Sequence, residues 1–485
     1  MNLEQNQLEQ ILNKDKAKIY FVGIGGIAMS AAANLIRGVG YEVLGSDSKE
    51  LYDPAKSVLD QGKIEYFVGY DARHIEQAKA DLYVLSAGEG LENPEVEYII
   101  KHNLPRTGFP ELLYELAKDS LRVVVAGTHG KSTTTGFLGH LLKNLDDSSF
   151  IAGAVLQDYR SNFHKGDGHY FVFEGDEYKT EFDDPTPKFH YYKPDILVLV
   201  NLEYDHPDVF PSLEVMEQEF GQLIANMPED GLIIYNADDA SLSKLVHRTE
   251  VSSVSFGVDN KADFQAIDVK YEPDFTTIEV KNRFSKDLVS AVTGHGEEYK
   301  IKLPGKMNVY NALAAITTLR VLGFGREQLV LDLLTYSGVK RRFEVVGVKN
   351  GITIVDDYAH HPTAVRETLE AARLRYPKAK IWAVFEPHTF SRTKATLPEL
   401  ANAFKAADEV LVSDIYPARE KVSDATIKSE DVVQAIGLLK DHVRLVHNKQ
   451  EALDIIKVEA KSDDVVIVMA VGSFNRLAYE LKEVL

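Results

Sequence analysis

No cysteine occurs among the 485 residues of this chain. That excludes a disulfide framework, a thiolate metal site and a cysteine nucleophile together. Positive charge is also in short supply. Lysine and arginine number 54 against 74 aspartates and glutamates, a formal net charge of −20. A surface of that sign does not neutralise phosphates over a broad face, so no nucleic-acid partner is expected. Local lysines and arginines remain able to hold a small anion. No apolar run approaches the roughly 20 residues that a bilayer-spanning helix needs, and no membrane partner is expected. The opening MNLEQNQLEQILNKDK is polar and mixed in charge, unlike a signal peptide. A cytoplasmic location is the expectation.

What is present is ordinary globular composition, 45% hydrophobic and 26% charged, over a length suited to about three domains. The stretch Arg122–Thr135, RVVVAGTHGKSTTT, organises the rest. Val123–Ala126 reads as a short buried strand, and a helical pattern runs on through Leu142. Between them lie Gly127, Thr128, His129, Gly130, Lys131, Ser132 and Thr133. Strand, glycine loop, Lys-Ser and helix is the arrangement that holds a nucleoside triphosphate. Backbone N–H groups and the helix dipole favour negative charge there. Lys131 would reach the β/γ-phosphates, and Ser132 would ligate Mg²⁺. Val125 stands where the general motif has its first glycine, and the plain alternative is a tight turn with an exposed lysine.

Residues 1–119 read as a first domain, 1–16 being a short helical lead-in. The strand Lys18–Gly23 runs into Gly23-Ile24-Gly25-Gly26-Ile27-Ala28, and a later strand ends at Asp47. That spacing is the dinucleotide-binding signature, with a phosphate on the helix N-terminus and an acid for a ribose hydroxyl. Further strands are expected at Asp81–Ser86 and at Leu104–Thr107. Residues 120–337 form a central domain with parallel strands Val123–Ala126, Tyr170–Glu174, Ile196–Asn201 and Leu232–Asn236. From Val251 to Lys302 short alternating runs (VSSVSFGV, DFQAIDVKY, FTTIEVKN) predict a small antiparallel sheet, and an alanine-rich helix follows over Asn308–Leu322. Residues 338–485 alternate strand and helix again, a six-stranded nucleotide-binding-like unit without a phosphate loop.

Three acidic clusters fall at predicted strand ends, where α/β sheets build their sites. They are Glu174-Gly175-Asp176-Glu177, Asn201-Leu202-Glu203-Tyr204-Asp205-His206 and Asp356-Asp357-Tyr358-Ala359-His360-His361. Carboxylate, imidazole and a loop serine suit Mg²⁺ around a triphosphate; the plain alternative is solvated turns with helix caps. Zinc at His360, His361 and His206 lacks any ligand spacing to support it, and a hydrogen-bonding role is favoured. Lys340-Arg341-Arg342-Phe343, at the second boundary, reads either as a basic linker or as an arginine reaching back to the triphosphate on closure.

Taken together, G-T-H-G-K-S (Gly127–Ser132), E-G-D-E (Glu174–Glu177), N-L-E-Y-D-H (Asn201–His206), G-K-M-N-V-Y-N (Gly305–Asn311), K-R-R-F (Lys340–Phe343) and D-D-Y-A-H-H-P (Asp356–Pro362) resemble the Mur ligases, in order over nearly the whole chain. The resemblance implies an ATP-dependent, ADP-forming amide ligase of peptidoglycan synthesis. The implied fold is α/β in three domains: an N-terminal Rossmann-like UDP-binding domain, a central P-loop ATPase-like parallel sheet with a small antiparallel sheet, and a C-terminal Rossmann-like domain for the amine. It reassigns Gly23, Gly25, Gly26, Ile27, Asp47 and Ser86 to the UDP-N-acetylmuramate substrate. It implies an ATP site of Gly127–Thr133 with Asn308, Asn311, Arg342 and Asp356, and a Mg²⁺ site of Ser132, Glu174 and His206. Lys131, His206, Arg342 and His361 would carry the catalysis.

Many members carry a carbamoylated lysine where this chain, from Pro207 to Ser243, has none, which fits the branch acting on the muramate end. Within that branch Asn93–Glu97, Tyr178–Asp184 and Asn201–Phe210 resemble the member that takes recycled murein tripeptide. Phe385–Thr393 and Asp414–Glu420 resemble the member that takes L-alanine. Because the last domain selects the amine, L-alanine is expected, with the tripeptide L-alanyl-γ-D-glutamyl-meso-diaminopimelate as the alternative. The expected assembly is a monomer or homodimer. Two readings from other classes remain at this point: an NAD-dependent oxidoreductase resting on Gly23–Ala28 and Asp47, and a non-catalytic nucleotide switch.

Overall fold

The computed structural model of the chain describes residues 5–14, 16–205, 209–283, 296–418 and 420–485. Three sheets follow one another along the sequence. The first has five parallel strands in the order Glu65–Val68, Glu42–Asp47, Lys18–Val22, Leu82–Leu85, Arg106–Gly108. Its strand order reverses direction at Lys18–Val22, so a crevice opens at the carboxyl end of that strand. Val22 turns there through Gly23 into the helix Ile27–Val39, which buries Met29, Ala31, Ala32, Ala33, Leu35 and Ile36 together with Ser30 and Asn34.

The second sheet has ten strands. Leu121–Ala126 lies in its interior between Ile196–Leu199 and Tyr170–Glu174, both parallel to it. Val123, Val124 and Val125 are fully buried, as a continuous apolar run covered on both faces must be. Outward on one side come Leu232–Asn236 and Ser252–Gly257, also parallel. Ser252–Gly257 therefore belongs to the parallel part and not to the antiparallel unit its alternation suggested. The helix Ala240–Val246 supplies the crossover that makes a parallel return possible. The antiparallel strands Phe264–Tyr271, Thr276–Asn282 and Glu297–Ile301 continue the same sheet, joined through Phe256–Phe264 pairing. On the other side, Ser149–Leu156 and Ser161–His164 form a hairpin that the sequence reading did not find.

The third sheet runs Glu344–Lys349, Ile352–Asp357, Val465–Met469, Ile381–Phe385, Glu409–Ser413, Val443–Val446, parallel except for the first pair. The connecting segment is anchored to the central domain. Gln157 N–H donates to Gly338 O at 3.0 Å, and Lys340 N–H donates to Val155 O at 2.7 Å. No helix among the described residues is long and apolar enough to cross a membrane.

Candidate active site

The phosphate-loop stretch ends its strand at Ala126 and turns at Gly127, φ 144°. A Cβ there would stand 2.6 Å from Val200 Cγ2 and 2.7 Å from Asn201 O, so the turn admits glycine only. Gly130, φ 82°, opens the helix Lys131–Asp146, and a Cβ on it would meet Asn311 Oδ1 at 2.4 Å. The neighbouring strand clamps the loop between these glycines. Asn201 Oδ1 accepts from His129 N–H at 2.8 Å, and its Nδ2 donates to His129 O at 2.8 Å. Thr128 Oγ1 donates to Glu203 O and accepts from Glu203 N–H, both at 2.9 Å.

Lys131 curls over its own loop, donating to Gly127 O at 2.6 Å and Thr128 O at 3.1 Å, and pairs with Glu177 at 2.8 Å. Burial works against its charge, but the carboxylates of Glu177, Glu174 and Asp176 together outweigh burial and lift the ammonium pKa above its usual value. Ser132 Oγ donates to Glu174 Oε1 at 2.8 Å, and Glu174 Oε2 accepts from Gly153 N–H on the unforeseen hairpin. Burial pushes the Glu174 pKa up. A hydroxyl and a carboxylate beside a row of backbone N–H groups form an oxygen donor set suited to a hard cation such as Mg²⁺. His206, the third residue expected at that position, lies outside the described residues.

The helix Lys306–Val321 packs along Lys131–Asp146 and brings Asn308 and Asn311 under the loop. Asn311 Oδ1 accepts from Thr134 Oγ1 at 3.2 Å, and its Nδ2 donates to Asn308 Oδ1 at 3.1 Å. Thr133 is buried, its carbonyl accepting from Tyr336 OH at 3.3 Å.

From the C-terminal domain, His361 caps the helix Pro362–Arg375 and comes against the loop. Its ring centroid is 4.9 Å from that of His129, and two residues further on Thr363 Oγ1 donates to Glu203 Oε2 at 2.9 Å. Burial, then the neighbouring His129, depresses His361 to a pKa of about 4. The His129 imidazole, 3.5 Å away, and the Thr363 hydroxyl hold Glu203 down at about 2. His360 turns the other way, 5.1 Å from the His388 ring, so the adjacent histidines serve different faces. Beyond it, Arg392 Nη2 donates to Asp205 Oδ1 at 2.8 Å, a buried ion pair between the central and C-terminal domains.

Arg342 and Asp356 sit further off. Arg342 lies over the Tyr358 ring, 5.3 Å from its centroid, and faces Asp357. Among the described residues it makes no hydrogen bond or ion pair with the phosphate loop. Asp356 is buried beside Arg341 and Tyr479, and burial raises its pKa to about 7.

In the N-terminal domain Gly23, φ 77°, approaches Ser86 so closely that a Cβ would lie 2.8 Å from Ser86 Cβ. Asp47 Oδ2 accepts from Gly25 N–H at 2.9 Å, holding the glycine turn to the next strand. Gly26 precedes the helix at Ile27, whose carbonyl accepts from Asn162 Nδ2 of the central domain at 3.1 Å. Gly23, Gly25, Gly26, Ile27, Asp47 and Ser86 thus gather at one crevice. A second inter-domain clasp was not foreseen. Arg106, ending the first sheet, pairs with Glu181 at 2.5 Å and Asp183 at 2.7 Å of the segment after Glu177. Its partners lie about 75 residues away, so no local spacing points to it.

Comparison with known proteins covers nearly the whole chain. The Mur ligase family, catalytic domain profile matches residues 18–120, the Mur ligase middle domain residues 125–319, and the Mur ligase, glutamate ligase domain residues 341–472. A protein of Clostridium acetobutylicum named UDP-N-acetylmuramate–L-alanine ligase is 32% identical over 470 residues, 96% of this chain and 97% of its own length. One of the same name from Acetivibrio thermocellus is 34% identical, covering 96% of each. Among solved structures, UDP-N-acetylmuramate-alanine ligase from Thermotoga maritima superposes with a TM-score of 0.79 at 26% identity, over 96% of this chain and 98% of the other. A murein peptide ligase from Psychrobacter arcticus gives 0.72 at 27% identity, over the same shares.

Proposed function

The chain belongs to the Mur ligase family, and from that footing we propose that it joins L-alanine to the carboxylate of UDP-N-acetylmuramate, converting ATP to ADP and phosphate. The observation that carries this reading is the end-to-end similarity to proteins of that name, with all three domains matched in order.

The chemistry fits the residues. A carboxylate is a poor acyl donor, so one of its oxygens first attacks the γ-phosphorus of ATP and ADP leaves. The amine then attacks the acyl phosphate carbonyl, and the tetrahedral intermediate expels phosphate with that carboxylate oxygen still attached. The loop N–H groups of Gly127–Thr133 and the Lys131 ammonium offset the anions that must crowd together. To reach them, Lys131 exchanges its bonds to Gly127 O and Glu177 for phosphate oxygens. Ser132 and Glu174 would hold Mg²⁺, with His206 beside them; the metal supplies charge stabilisation at the transferring phosphoryl group. Gly23, Gly25, Gly26, Ile27, Asp47 and Ser86 would seat the UDP pyrophosphate. Asn308 and Asn311 would contact the nucleotide, and His361, Arg342 and Asp356 would face the triphosphate and amine from the closing domain. The reading places the enzyme in the cytoplasm, as a monomer or homodimer, with small-molecule substrates.

A second reading, murein tripeptide as the amine, is favoured by the Tyr178–Asp184 segment, which resembles the recycling ligase and here folds as an ordered inter-domain clasp. The two separate in one assay of ADP release with UDP-N-acetylmuramate, ATP and Mg²⁺. Turnover with L-alanine well above that with L-alanyl-γ-D-glutamyl-meso-diaminopimelate is the expected result. Turnover with the tripeptide alone overturns the choice of amine.

A further inference from the structure

His129, Glu203 and His361 come from three segments far apart in sequence, yet one ligand atom of each lies within 4.8 Å of the other two. His129 belongs to the phosphate loop, Glu203 to the turn after Ile196–Leu199, and His361 to the C-terminal domain. We propose that these three residues bind a zinc ion that pins the C-terminal domain to the phosphate loop and holds the enzyme inactive. The binding claim stands apart from the ligase reading; only its inhibitory consequence rests on that reading.

Two imidazoles and one carboxylate are a zinc donor set with a coordination position left open. Bonds of ~2.0–2.2 Å in tetrahedral geometry put neighbouring ligand atoms about 3.3 Å apart. His129 Nε2 and Glu203 Oε2 already stand 3.5 Å apart, too far for a good hydrogen bond and near the span of a shared metal. That buried imidazole nitrogen has no hydrogen-bond partner, although the backbone N–H and C=O of His129 are both satisfied. The ligands are held from behind. Asn201 clamps both polar groups of the His129 peptide, Thr128 Oγ1 bonds both backbone groups of Glu203, and Thr363 Oγ1 fixes the Glu203 carboxylate. Such support orients ligands and raises metal affinity. The site differs in kind from Ser132–Glu174, whose oxygens suit Mg²⁺. A zinc ion bridging His129 and His361 would hold the C-terminal domain against the phosphate loop and keep the two from parting to admit a triphosphate.

The test titrates the full nucleotide-free chain with Zn²⁺ against a chromophoric chelator, in excess Mg²⁺. One tightly bound equivalent is expected, and Co²⁺ in its place should give the intense visible absorption of a four-coordinate site. Glu203→Gln should weaken zinc by about tenfold or more, His361→Gln likewise, while Glu174→Gln leaves this binding unchanged. No bound equivalent in the wild-type chain, or Glu203→Gln and His361→Gln binding as it does, overturns the site. If zinc binds but turnover in the ligase assay is insensitive to it, the inhibitory role is overturned. If no turnover occurs with or without zinc, the ligase reading fails and the binding result still stands.

Discussion

Lys131 spends its charge on the loop that presents it. Two carbonyls and Glu177 hold the ammonium in place, ready for phosphate oxygens of the same geometry. Lys131→Ala should cut ADP release by about 10²-fold or more, the scale of a lost transition-state charge partner. Full turnover in that variant would remove the loop from the chemistry. The Arg106 clasp makes a different prediction. Around Glu181 stand one cation, Arg106, and the carboxylates of Glu111, Asp183 and Asp184, with Tyr191 bonded to Asp184, so carboxylates outnumber the cation. Burial drives Glu181 from 4.5 to about 8 and Glu111 to about 7. Between about 4.5 and about 8 the folded chain keeps a proton on Glu181 that the unfolded chain has released, so stability falls as pH rises across that window. Thermal melts from pH 5 to pH 8 should show a shallower decline for Glu181→Gln than for the wild type. Parallel declines would mean that Glu181 ionises normally.

At the scale of elements, the strand–loop–helix at Arg122–Thr135 was legible because its determinants are local. An apolar run, two glycines and Lys-Ser all lie within Val123–Ser132, and φ is positive at both Gly127 and Gly130, where glycine is favoured. Gly130→Ala forces a left-handed alanine costing about 1–2 kcal/mol, before the clash with Asn311 Oδ1. ATP affinity by calorimetry should weaken about tenfold; unchanged affinity would show that the loop tolerates a Cβ. Four strands escaped the sequence reading, Ser161–His164 together with its hairpin partner Ser149–Leu156, and for physical reasons. Glu65–Val68 and Glu344–Lys349 are half-exposed edge strands with weak alternation, and Ser149–Leu156 carries a glycine and a shifted register. Ser252–Gly257 alternates like an antiparallel strand, yet the helix before it decides its direction.

Across the whole molecule, three Rossmann-like or P-loop-like sheets were legible from the repeated strand–helix alternation, while the joints between them were not. Each joint pairs residues from distant segments: Arg106 with Glu181, Arg392 with Asp205, Thr363 with Glu203. No spacing in a single chain encodes such pairs. The Arg392–Asp205 pair is buried on both sides, and removing one partner from such a pair costs about 3–5 kcal/mol. These joints tie the three domains together, and the proposed route, carboxylate activation by ATP followed by amine attack, needs the N-terminal crevice, the phosphate loop and the C-terminal sheet to meet. The fate of oxygen tests that account most directly. With ¹⁸O in the carboxylate of UDP-N-acetylmuramate, turnover with ATP and L-alanine should deliver one labelled oxygen into the released inorganic phosphate. Amide formation with unlabelled phosphate would contradict the acyl-phosphate route and, with it, the role given to the loop at Gly127–Thr133.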